Sequence, residues 1–193
     1  MERQFIEEQT FEGVDFSKDS LEKGDYELCV FLNCNFSNID LSLIRFIECE
    51  FKNCNLSSAK LNKTGFQSVV FIDCKMFGLH FEKCDTFGFS IEVDNSQLNY
   101  SSFYGLKLPK TKFNNCKFLE VDFSECNLHL ANFNDCNLQN AVFSNTSLKD
   151  VDFRSSYEFS IDPENNNING AKFSFSTVAG LLTKYNITID VEG

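Results

Sequence analysis

The chain has no apolar leader and no long hydrophobic run. Residues 1–10 are largely charged or polar, and no stretch approaches the ~20 apolar residues that span a bilayer. Neither a secreted nor a membrane protein is expected. Histidine is scarce: His80 and His129 are the only two, and both stand outside the apolar pattern described below. There is no glycine-rich phosphate loop, no metal-ligand spacing and no nucleophile–base pair. No catalytic site can be assembled from such a set, so an enzyme is not expected, nor a cofactor or metal. Basic residues are outnumbered 17 to 28, for a net charge of −11. That excludes a general nucleic-acid binder and favours a partner with a basic groove.

What the chain has in abundance is a period of five. From Ile6 to Phe81 every fifth residue is apolar, and a second run from Leu98 to Phe153, two residues out of register, is all Leu or Phe. An α-helix turns 100° per residue and a strand alternates every two, so neither element has this period. It belongs to a repeat architecture whose units bury their apolar residue only by stacking on neighbours. The expected core centres include Phe31, Phe36, Phe51, Phe71, Phe113, Phe123, Phe133 and Phe143. Seventeen of the 23 phenylalanines fall on centres when Phe173 is included, so the aromatic content is core. Two residues before the centre stands mostly a small or apolar residue, often Asp or Asn directly precedes the centre, and two mostly polar residues follow. Asn, Asp and Ser suit corners because their side chains bond nearby backbone groups.

Nine cysteines suggest disulfides or metal until their positions are read. All nine fall two residues before a centre slot, alternating there with Ala, Ser, Thr and Val. They are expected to be reduced, small, buried hydrophobes. An odd count of buried thiols with no leader points to the cytoplasm.

Units such as Cys34-Asn35-Phe36-Ser37-Asn38, Ala131-Asn132-Phe133-Asn134-Asp135 and Ala141-Val142-Phe143-Ser144-Asn145 carry a resemblance to the pentapeptide-repeat family. It covers residues 6–175. The resemblance implies an all-β solenoid: a right-handed, quadrilateral β-helix with four units per coil. The 28 regular centres then form seven coils, about 34 Å long at ~4.8 Å per coil.

The pattern breaks twice. Between Phe81 and Leu98 two extra residues enter, and Phe87, Phe89, Ile91 and Val93 alternate with polar residues or glycine. Over 86–97 this reads either as a short loop meeting a partner or as a coil repaired by a bulge. Over 157–167, Glu158 and Pro163 occupy centre slots, and a surface loop is expected to replace two sides of one coil. After Phe175, cap-type residues precede a pattern placing Val178, Leu181, Leu182 and Tyr185 on one face of a short α-helix. Residues 187–191 then alternate like a short strand. The whole, 1–193, is expected to be a single domain whose segment 176–193 caps the rod or pairs two chains.

Gly170-Ala171-Lys172-Phe173, the Leu181-Leu182 segment and Tyr185-Asn186-Ile187 resemble the C-terminus of Qnr-type quinolone-resistance proteins. That resemblance implies a homodimer through the C-terminus and a rod that binds bacterial type II topoisomerases (DNA gyrase, topoisomerase IV) by imitating duplex DNA. The alternative is an interaction scaffold with a different partner. Acidic residues expected on the partner surface are Glu7, Glu8, Glu12, Asp19, Glu22, Glu92 and Asp94. Residues 1–27 alone hold nine acids and three bases, whereas Lys107, Lys110, Lys112 and Lys117 form an acid-free basic stretch. The projecting loops carried by several Qnr-type proteins have no counterpart in this sequence.

Overall fold

Strand pairing follows the five-residue period multiplied by four. In the computed structural model, which describes residues 4–190, Phe11 lies beside Phe31, Phe31 beside Phe51 and Phe51 beside Phe71, all in parallel register. One parallel sheet joins strands Gln4–Glu7, Gly24–Glu27, Arg45–Ile47 and Gly65–Gln67 on the first side of the coil. A seven-stranded sheet on the second side runs from Thr10–Glu12 to Asn132–Asn134. The third and fourth sides are held by single bridges such as Asp15 to Asn35 to Asn55 and Ser102 to Asp122 to Val142. The chain is therefore a parallel β-solenoid, a four-sided coil of about seven regular turns.

Each unit sends two side chains inward because a strand-like step alternates faces. Phe31, Phe36, Phe51, Phe71, Phe113, Phe123 and Phe133 are completely buried and Phe143 nearly so. Their rings form columns: Phe11, Phe31, Phe51 and Phe71 stack with centroids 4.9, 4.7 and 5.1 Å apart. Neighbouring columns meet edge-on, as Phe31 does with Phe36 at 75°. Each buried ring contributes roughly 1.5–3 kcal/mol by leaving water, and the offset and edge-on geometries add to that.

Corners are turned by the residue two after each centre, which adopts positive φ at Asn33, Asn38, Asn53 and Ser58, and even at Leu28 and Leu43. Asn pays little for this conformation, and Leu accepts it because its N–H is used by the coil above, as Leu28 donates to Ile47 at 3.0 Å. The Asp or Asn before the centre accepts from the N–H after it: Ser37 to Asn35 at 3.1 Å, Ser124 to Asp122 at 2.8 Å. These aspartates hold corners.

Both breaks stay in the wall. Val69 pairs with Ile91 and Phe71 with Val93, while Gly65 still faces Asp85, so the two extra residues lie between 85 and 91. There Phe89 turns in against Phe66 and Phe81, Gly88 takes φ +67°, and Phe87 points outward, 79 % exposed. The coil is repaired by a bulge with a projecting ring. The second break is not the expected surface loop. Tyr157 bridges to Asn137, Phe159 and Ile161 turn inward, and buried Asn166 donates to the Phe143 carbonyl at 3.0 Å. Sliding the inward residue from 158 to 159 keeps an aromatic in the core.

The expected C-terminal α-helix is absent. Val178–Leu181 and Thr183–Tyr185 are separate 3-10 turns. The segment is short, and Thr177, Val178, Gly180 and Thr183 are poor helix formers. Gly180 also lies so tightly on the Phe159 carbonyl and ring that no Cβ fits. Residues 187–190 form no strand, and Val191 lies outside the described residues.

Candidate partner-binding surface

The wall itself carries a bonding system that the sequence reading does not anticipate. At most of the cysteines in the slot two before a centre, and at Thr64, Thr146 and Ser156, the inward side chain donates to a carbonyl 23 residues earlier, on the coil below. Cys34 reaches Phe11 at 3.3 Å, Cys54 reaches Phe31 at 3.3 Å, and Cys126 reaches Phe103 at 2.9 Å. Thr64, Thr146 and Ser156 make the same bond with hydroxyls. The cysteines are all free and buried, and burial pushes Cys49 and Cys126 up to about 12. Cys49 and Cys126 are therefore protonated donors and not nucleophiles at neutral pH. The available signal was that Cys alternates with Ser and Thr in an inward slot, which size alone does not explain.

With the interior filled, binding falls to the outer faces and ends. Of the expected acidic residues, Glu7, Glu8, Glu12, Asp19 and Glu22 are exposed on the first coil. Glu7 and Glu8 end the first side, Glu12 ends the strand on the second, and Asp19 and Glu22 lie on the fourth. Asp19 occupies a formally inward slot but stays exposed, its N–H donating to Asp15. Glu92 and Asp94 lie on the second side near the bulge, separate from the others, and Glu92 pairs with Lys112 at 3.3 Å. Residues 4–43 hold nine acids and two bases, so negative charge gathers at one end of the rod. Lys107, Lys110, Lys112 and Lys117 are spread over three sides of one coil. His80 meets Glu82 at 2.9 Å, and His129 lies on another coil. Among the described residues no group of three or more metal-ligating side chains converges.

At the other end the tail lies across the last coil. Ile161 donates to the Gly180 carbonyl at 3.0 Å, and the hydroxyls of Ser160 and Thr183 meet at 2.6 Å. Lys184 bridges Asp162 and Glu164, both at 2.6 Å, and Tyr185 donates to Glu164 at 2.8 Å. Partial burial works against the Lys184 charge, but these hydrogen bonds outweigh it and raise its pKa, while Lys184 lowers both carboxyls. Leu181 packs on the core. Val178, Leu182 and Tyr185 face outward with Phe175, which is 96 % exposed. The segment thus lies against the last coil and leaves an apolar outer surface.

A stacked-coil rod with pentapeptide units and no interior site defines the class. The sequence model described as "Pentapeptide repeat region" matches residues 44–116 and 107–182, more than half of the chain. The chain belongs to the pentapeptide-repeat family. Among solved structures it is similar to full-length QnrB1, a plasmid-mediated fluoroquinolone resistance protein, at 17 % identity and TM-score 0.56, covering 95 % of this chain and 100 % of that one. A trypsin-treated QnrB1 variant gives 20 % identity and TM-score 0.59, covering 97 % and 92 %. No curated protein matches the sequence. At these identities the likeness establishes the fold.

Proposed function

We propose that this chain is a non-catalytic binding rod of the quinolone-resistance type, with a bacterial type II topoisomerase as its partner. The observation that carries the reading is end-to-end fold likeness to QnrB1, which spans all of that chain and 95 % of this one. Net acidity fits a partner whose groove normally takes DNA. The rod acts in the cytoplasm as a homodimer joined through the apolar surface of residues 175–189. The test is supercoiling by purified gyrase in a fluoroquinolone, titrated with this protein. Restored supercoiling supports the reading, and no effect at any ratio rejects it.

One observation favours a second reading, a scaffold for a different protein partner. Duplex DNA carries a charge every ~1.7 Å along its whole length, whereas here the net negative charge concentrates in residues 4–43, with nine acids and two bases. On that reading the acidic end, not a full face, makes the contact, and the same titration leaves gyrase inhibited as before.

A further inference from the structure

The end of the rod formed by residues 4–23 differs from its interior. Strands Gln4–Glu7 and Thr10–Glu12 are outermost in their sheets, paired on one side with the second coil. No strand among the described residues pairs with the other side. Ile6, Phe11, Val14 and Leu21 are only partly buried here, whereas their counterparts one coil above, Tyr26, Phe31, Cys34 and Leu41, are at most 2 % exposed. Phe5 stands 59 % exposed on the outer side of the first strand. An open parallel edge beside an incompletely covered core is the arrangement that accepts an added strand.

Charge selects what can be added. Glu7 and Glu12 each follow an inward residue and therefore point outward beside the edge, with Glu8 at the corner between them. The bases of this coil are Lys18 and Lys23, and Lys18 is held by Asp15 at 2.8 Å. An incoming strand alternates its side chains. Beside these two sides it must turn with the chain at Glu8, where φ is positive, so its inward residues recur five apart over Ile6 and Phe11 and its outward ones meet Glu7, Glu8 and Glu12. We infer that this end binds an extended segment of a partner protein that bends at the Glu8 corner, with apolar residues five apart each followed by lysine or arginine, added along residues 4–12. The inference rests on the reading of the chain as a binding rod and not on the identity of a topoisomerase.

The test is fluorescence anisotropy of a labelled nonapeptide with valine at its third and eighth positions, lysine after each valine and at the corner, and threonine elsewhere, titrated with the full chain. Saturable binding is expected. It should weaken about tenfold or more, some 1.4 kcal/mol, when alternate peptide amides are N-methylated. It should weaken similarly in the Glu7→Gln, Glu8→Gln, Glu12→Gln triple variant. Removing three charges elsewhere (Glu120→Gln, Glu125→Gln, Glu158→Gln) should leave it nearly unchanged. No binding overturns the inference. So does equal binding of the methylated peptide, or equal loss in both triple variants, because either reduces the interaction to general charge attraction. Peptide binding is read directly, so a negative gyrase assay leaves this result standing.

Discussion

The hydroxyl of Thr146 donates to the carbonyl of Phe123 at 2.8 Å, joining one coil to the next through the interior wall. Cys126 makes the equivalent bond to Phe103 at 2.9 Å. Where it holds Cys, Ser or Thr, the slot two before a centre can thus serve as a donor position as well as a small one. Thr146→Val keeps the shape and deletes the donor, and should destabilise the rod by about 1 kcal/mol. Cys126→Ser keeps the donor and should cost less. Urea unfolding decides it: the reverse order would mean that the slot selects only for size and apolarity.

Ring columns make stability depend on position along the rod. Phe51 is stacked between Phe31 and Phe71 and fully buried, so Phe51→Ala should cost about 3–5 kcal/mol. Phe11 has a neighbouring coil on one side and is partly buried, so Phe11→Ala should cost clearly less. Equal losses by chemical denaturation would contradict the stacked-column account.

The tail should loosen in acid. Lys184 lowers the pKa of Asp162 and Glu164 below their ordinary 3.8 and 4.5. Groups with depressed folded pKa stabilise above the unfolded value and lose that contribution as pH falls through the folded one. Lys184, raised from 10.5, contributes below 10.5 and loses it as pH rises through its folded value. The tail's attachment should be full between pH 4.5 and 10.5 and weaken below. Hydrogen exchange of residues 178–185 across pH reports this, and Lys184→Met should flatten the acid limb.

If the outward face of Val178, Leu182 and Tyr185 with Phe175 joins two chains, truncation after Ser174 should give a monomer by light scattering where the full chain is a dimer. An unchanged dimer would place the interface elsewhere. An insoluble product would assign the tail to capping alone.

The period of five made the stacked repeat and its phenylalanine core legible, because a residue that must stack recurs at one position per unit; the four sides came from the family resemblance. Phe159 was not legible as core: the slot moved by one residue, and only its ring contacts with Phe153 on its own coil and Phe173 on the coil above reveal that it turns in. The tail misled for the opposite reason. Its apolar spacing suits a helix, but contact between Gly180 and Phe159 fixes 3-10 turns. Side-chain donation by Cys34 or Cys126 was hidden because a thiol reads as an apolar filler until its carbonyl partner is in view. The acidic residues were legible one by one, yet their separation into a first-coil group and the Glu92–Lys112 pair depended on which coil each occupies.

If this rod binds in the DNA groove of a type II topoisomerase, as proposed, the rod and duplex DNA exclude each other. The most direct measurement is binding of the labelled full chain to purified gyrase, with linear duplex DNA added as competitor. The account predicts saturable binding that DNA displaces completely. Absence of binding, or a stable complex containing gyrase, DNA and this protein together, would contradict it.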